Sequence, residues 1–273
     1  MSQFLRSIVL ACLFSVVFAA TVAAQYDQPK IKASPTPTPA PQAKGPIKIT
    51  TADQVAETAI VFYGFPVGRE RLNQIRKTTF EKGDTTVTGT DGKVLKASYQ
   101  RFVIRADALD HEKIRLDQDF PGARYALIYN DNKIFGIYNN NIFTPREDAA
   151  KSFENQVVHG LEALLRYKEN GSTLELAPRE KLMGVDYYVV DVTDKKGRKT
   201  RFYVSVKTFR VMLLTYEEDG IKYRRKFYDY NYAQGTLVPY RSVLWANDKI
   251  VEETDIGTIT FGQKVDEDLF RAG

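Results

Sequence analysis

Arg225 stands among side chains that would otherwise make a continuous apolar surface. Asp219-Gly220 reads as a two-residue hairpin loop, since this dipeptide accepts the positive φ angles of a type I′ turn. That loop sets Glu217 opposite Lys222, Tyr216 opposite Tyr223, Leu214 opposite Arg225, Met212 opposite Phe227 and Arg210 opposite Asp229. Two opposite-charge pairs and an aromatic pair fall into place, which supports the register. Met212, Leu214, Tyr216, Tyr223 and Phe227 then share one face with Arg225. A guanidinium there needs an acidic partner, an exit to water or a ligand. An internal pair or a snorkelling side chain is the plainer reading. The functional one is a contact for the ester or headgroup of an amphiphile whose chain lies on the apolar neighbours.

Other reactive groups are sparse. The chain has two histidines, His111 and His159, and one cysteine, Cys12. His111 lies in the charged connection Leu109-Asp110-His111-Glu112. His159 falls off the apolar stripe of its helix and is expected at the surface. There is no Gly-x-Ser-x-Gly elbow, no His-Glu-x-x-His and no phosphate-binding loop. With so few histidines and one cysteine, no metal cluster or cofactor is expected. The neighbours Glu217-Glu218 and Glu252-Glu253 point to opposite faces of a strand, which makes neither an acid/base pair. The reading is therefore non-enzymatic. A hydrolase assembled from carboxylates on distant strands stays open as an alternative.

Lysine and arginine total 39 against 34 acidic residues, a net charge of +5 spread along the chain. The basic run Lys222-Tyr223-Arg224-Arg225-Lys226 divides between two strand faces, so it is no nucleic-acid footprint. Residues 1–25 read as a signal peptide: Arg6, an apolar stretch from Ser7 to Ala20, then Ala20, Ala23 and Ala24 before a cleavage point at Ala24 or Gln25. Too little apolar sequence precedes Cys12 for lipid attachment. Residues 26–46 form a Pro/Thr-rich linker with nothing apolar to bury. At about 3.1 Å per residue its stretch from Pro29 to Pro46 reaches roughly 50 Å.

Residues 47–273 have globular composition. Thr51 and Gln54 make a capping box for a helix carrying Val55, Ala59 and Phe62, closed by Gly64 and Pro66. A short helix from Arg69 follows, with Leu72 and Ile75 inward. Strands are expected over 85–89, 96–105, 113–120, 125–129 and 134–138. One helix from Pro145 to Tyr167 is expected, with Thr144 as its cap and Ala150, Phe153, Val157, Leu161 and Leu164 as its stripe. From Tyr187 to Phe270 the chain is a meander with short turns. Helices, strands, one helix and many strands make an α+β fold.

The phrases Lys113-Ile114-Arg115-Leu116, Tyr129-Asn130-Asp131-Asn132-Lys133-Ile134, Tyr228-Asp229-Tyr230, Gly235 to Pro239 and Asp266 to Phe270, in this order, resemble the Lol-type superfamily of periplasmic outer-membrane lipoprotein-sorting carriers. Where that family has a basic-proline turn, this chain reads Arg105-Ala106-Asp107. The resemblance spans roughly residues 51–270. It implies an antiparallel curved sheet, a half-open barrel, covered by helices around a hydrophobic cavity. It also implies a periplasmic location and lipid or lipoprotein acyl chains as partners, with membrane-associated envelope proteins as further ones. On the strand faces, Phe102, Ile104, Ile114, Leu116, Met212, Leu214, Tyr223, Arg225 and Phe227 are the expected cavity residues. A tethered sensing module of the same fold is the second reading.

Overall fold

The computed structural model describes residues 49–271, residue 90 excepted. The expected signal peptide, Cys12 and the linker lie outside the described residues. Two helices open the domain, α1 (Ala52–Tyr63) and α2 (Arg69–Ile75). Six strands follow: β1 (Thr78–Thr88), β2 (Val94–Ile104), β3 (Lys113–Phe120), β4 (Ala123–Asn130), β5 (Lys133–Tyr138) and β6 (Asn141–Phe143). Then come α3 (Glu147–Val158) and α4 (Glu162–Leu165). The second run of strands is β7 (Thr173–Leu182), β8 (Val185–Thr193), β9 (Lys199–Ser205), β10 (Val211–Glu218), β11 (Ile221–Ala233), β12 (Thr236–Ala246) and β13 (Lys249–Phe261).

All strands join one curved, unclosed 13-stranded antiparallel sheet. Its order is β6-β5-β4-β3-β2-β1-β13-β12-β11-β10-β9-β8-β7. Two meanders thus lie edge to edge, and β1 with β13 is the seam. The turns explain the meanders. Asp131-Asn132, Asn139-Asn140, Met183-Gly184, Asp219-Gly220, Gln234-Gly235 and Asn247-Asp248 each place two successive residues at positive φ. That is the type I′ geometry whose twist matches paired strands.

The helices cover the inner face. Thr51 and Gln54 form the capping box of α1, and Val55, Ala59, Ile60 and Tyr63 go into the core with the inner residues of β8 to β11, among them Val190, Phe202 and Leu214. On the other meander, Phe153 and Val157 of α3 pack with Tyr99, Ile114, Leu116 and Leu127. The outer face of that meander is covered too. The C-terminal segment brings Val265, Leu269 and Phe270 onto Ala126 and Ile128. The β4–β5 hairpin is therefore buried on both sides, as its two apolar faces require. No described helix is long and apolar enough to cross a membrane.

Four local expectations are corrected. The single helix over 145–167 is two pieces, broken at His159 and Gly160, and it starts at Glu147 with no side-chain cap. Glycine weakens the helix at the break, and His159 is drawn down to the sheet. His159 is buried, not a surface residue: it is 2% exposed, its Nδ1 lies 2.7 Å from Thr200 Oγ1, and its ring stacks 4.0 Å from Tyr216. β1 begins at Thr78, seven residues before the expected strand, because its first half mixes polar and apolar residues on both faces. Phe62 is 39% exposed rather than in the core and stacks 5.5 Å from Phe209.

Candidate functional site

A cavity of about 240 Å³ lies between α3–α4 and the middle of the sheet, straddling the seam. Strands β1 to β3 form one wall, β11 to β13 the other. Val103, Ile114, Leu116, Val157, Leu161 and Phe227 give it an apolar lining. Charged groups line it as well: arginines 76, 101, 105, 166 and 225 and glutamates 81, 112, 162 and 252. The hydrophobic cavity expected from the sequence, with Arg225 as its charge, thus carries eight further charged side chains.

The charges are organised. At one end, Glu162 Oε1 of α4 accepts from Arg76 Nη1 and lies 2.8 Å from Arg105 Nη2. Arg105 also lies 3.6 Å from Glu112, which is paired with Arg166. Arg76 Nη2 donates to Leu237 O at 2.8 Å. This ladder ties α4 to the start of β1, the end of β2 and β12. Burial raises the Glu162 carboxyl, but the Arg105 and Arg76 guanidiniums outweigh it and hold it below the usual carboxylate range. At the other end, Arg225 Nη1 donates to Glu252 Oε1 at 2.8 Å and to Ser242 Oγ at 3.1 Å. The second oxygen of Glu252 accepts from Gln156 of α3 at 2.8 Å. Tyr99 donates its hydroxyl to Glu81 at 2.7 Å. A general acid working near neutral pH needs a raised pKa, and Glu162 has the reverse. Among the described residues, no group of three His, Cys, Asp or Glu side chains could hold a metal ion.

The expected cavity residues divide. Ile114, Leu116, Arg225 and Phe227 line the cavity together. Phe102 and Ile104 do not: they face outward, Phe102 against Phe80 at 4.9 Å and both beside the C-terminal cover. β2 is apolar on both faces, so alternation alone leaves its orientation undecided. The register sets Val103 opposite Ile114 and Phe102 opposite Arg115, and it is the Tyr99, Arg101, Val103 face that turns inward. The hairpin register holds from Glu217–Lys222 to Leu214–Arg225. Beyond it a bulge between Val211 and Leu213 shifts the chain by one residue. Met212 therefore packs with Tyr187, Val189 and Tyr203 on the outer face. Leu214 is fully buried in the core under α1, and Tyr223 borders a separate open groove at the far ends of β9 to β12. Arg225 is not the cavity's one fixed charge; it is internally paired. Arg76, Arg105, Glu112, Glu162 and Arg166 were not legible from sequence, because they meet only through the fold. Arg101 had one signal, its place between Tyr99 and Val103 at period two.

Among solved structures, the chain is similar to a DUF1329 family protein from Desulfovibrio piger, with a TM-score of 0.57, 13% identity and coverage of 81% of this chain and 97% of that one. It is also similar to a LolA superfamily protein from Nitrosomonas europaea, with a TM-score of 0.55, 13% identity and coverage of 82% and 98%. At such identity the likeness is one of fold. No protein-family model matches the sequence, and no curated protein matches it.

Proposed function

We propose that this domain is a non-catalytic carrier of the cell envelope, exported to the periplasm, that shelters an acyl chain of a lipid or lipoprotein between α3–α4 and the sheet. The observation that carries the reading is the cavity itself. It is roofed by a two-piece helix, walled by both meanders, and apolar over Ile114, Leu116, Val157 and Phe227. The LolA superfamily fold and the sequence resemblance support it. At about 240 Å³ the cavity is smaller than the usual ligand site of roughly 300–1,000 Å³, which suits one short chain. Each buried methylene is worth about 0.8 kcal/mol relative to water but little relative to a bilayer. A chain can thus pass between membrane and protein without a reaction. The glutamates of the cavity are engaged by arginine or tyrosine, which favours a scaffolding role for them.

Calorimetric titration of the full chain with saturated fatty acids of increasing length tests this. Affinity should rise about fourfold per methylene, the equivalent of that increment, and then level off when the cavity is full. Leu116→Trp, which fills the cavity, should abolish binding. Affinity that is independent of chain length, or unaffected by the tryptophan, would overturn the carrier reading.

A further inference from the structure

We infer that the cavity is built for an amphiphile with an anionic head, and that Arg101 with Thr79 is the head site. The inference rests on the carrier reading and adds the ligand's charge class to it.

Among the described residues, Arg101 is the cavity arginine whose side chain has no partner. Arg76, Arg105, Arg166 and Arg225 each make an ion pair with Glu162, Glu112 or Glu252. Arg101 makes no hydrogen bond or ion pair with any described residue, and its Nε is buried without an acceptor. The acid opposite it across the β1–β2 ladder is Glu81, whose Oε1 takes the Tyr99 hydroxyl instead. Five arginines against four glutamates leave the cavity with one positive charge in excess: Arg76, Arg105 and Arg166 share Glu162 and Glu112, Arg225 takes Glu252, and Arg101 faces Glu81 across the ladder.

A second unsatisfied group lies beside it. Thr79 is 7% exposed, lines the same cavity, and its Oγ1 is buried with no partner. Thr79 pairs with Val103, Arg101 with Glu81, so the hydroxyl and the guanidinium are diagonal neighbours on the inner face, near enough for one group to meet both. Buried polar groups are almost always hydrogen-bonded. Arg76 Nε and Arg166 Nε in this cavity also lack partners, but those arginines are paired through other atoms, whereas the Arg101 and Thr79 side chains make no bond with any described residue. A guanidinium fork matches two oxygens of a carboxylate or phosphate. A hydroxyl donates to a third acceptor. Apolar Leu116 lies opposite Arg101 on β3, so a chain attached to that head meets the apolar wall at once. A cationic head would gain nothing from the guanidinium fork.

The test uses the full chain and three probes with one twelve-carbon chain: dodecanoate, dodecyl phosphate and neutral dodecanoyl glycerol. The wild type should bind at least one anion ten-fold or more tighter than the neutral probe. Arg101→Gln should bring all three within about two-fold of one another and leave the neutral affinity unchanged. Thr79→Val should reduce the anion preference by a smaller factor. A preference for phosphate over carboxylate, or the reverse, identifies the head and supports the site either way. If the glutamine variant does not fold, Arg101→Lys keeps the charge without the fork and should cut the preference several-fold. Equal wild-type affinity for all probes, or a preference that survives Arg101→Gln, overturns the head site and leaves the carrier reading standing. Failure of every probe, neutral included, overturns both.

Discussion

Arg225 and Glu252 are nearly buried, with side chains 13% and 9% exposed, and each is the other's main compensation. Arg225→Leu strands the Glu252 carboxylate, so it should lower stability by about 3–5 kcal/mol. Arg225→Leu with Glu252→Leu should recover most of that, because a buried pair replaced by apolar groups is often neutral. Urea midpoints of the two variants check this; an unchanged midpoint for the single variant would mean that water, not the arginine, satisfies Glu252. The two histidines make a cleaner pH experiment. Burial pushes the His159 imidazole below its ordinary value of about 6.5 and outweighs the pull of Glu218, 3.2 Å from its Nε2. Its neutral form belongs to the folded state. That contribution to stability is therefore full above pH of about 6.5 and is lost as pH falls through the lowered folded value. His111 is exposed and shifted the other way by its hydrogen bond to Asp107 and the charge of Asp110. Its contribution is full below the unfolded value and lost as pH rises through the folded one. Proton NMR of the imidazole carbons should show one titration on each side of the free value. Two coincident titrations would mean that His159 is hydrated, and His159→Phe should then leave the acid side of the stability profile in place.

The helices act as the roof of the cavity, and α3 is held to it by Phe153, 1% exposed, and by Gln156 reaching Glu252. Phe153→Ala should cost about 3–5 kcal/mol in urea denaturation of the empty protein, and part of that should return when an acyl probe occupies the cavity beside it. A loss below about 1 kcal/mol would make α3 a loosely seated lid. The elements themselves were largely legible. The capping box of Thr51 and Gln54, the bounds of β3 and the Asp219-Gly220 register all follow from local chemistry that the fold does not override. What was illegible depends on partners far away in sequence. The face of β2 was misassigned because the C-terminal residues Leu269 and Phe270 cover its outer side, so both faces of the strand are apolar. Met212 was misplaced by a bulge with no glycine to announce it. His159 was misplaced because its partners, Thr200 and Glu218, lie on strands 41 and 59 residues away. The arginine–glutamate ladder joins residues between 76 and 166, and no spacing rule gathers them. Charge pairs of this kind are visible only once α4 has packed onto the first meander.

The whole molecule depends on the meeting of the two meanders. Among the described residues, every other strand pair joins neighbours in sequence, and only β1 with β13 joins the two meanders. The cavity sits across this seam, so the seam sets the distance between its walls. The pairing contains a bulge: Lys82 faces Thr258 and Gly83 faces Ile256, which leaves Gly257 without a partner. Gly83 is needed there for close approach. A Cβ on it would lie 2.0 Å from the Asp255 carbonyl oxygen and 3.0 Å from the Gly257 nitrogen. Both are backbone atoms, so the ladder itself must open to admit a methyl group. Gly83→Ala should therefore destabilise by about 1–3 kcal/mol, the usual range for overpacking, and the loss should be local. Amide exchange should quicken along β1 and β13 while β8 to β10, buried under α1, keep their protection. Acyl-probe affinity should fall with it, since the mutation moves one wall of the cavity relative to the other. Uniform loss of protection across all strands would show instead that the sheet opens as one cooperative unit. Unchanged exchange and unchanged affinity would mean that the bulge absorbs the methyl group and that the seam does not set the cavity's width.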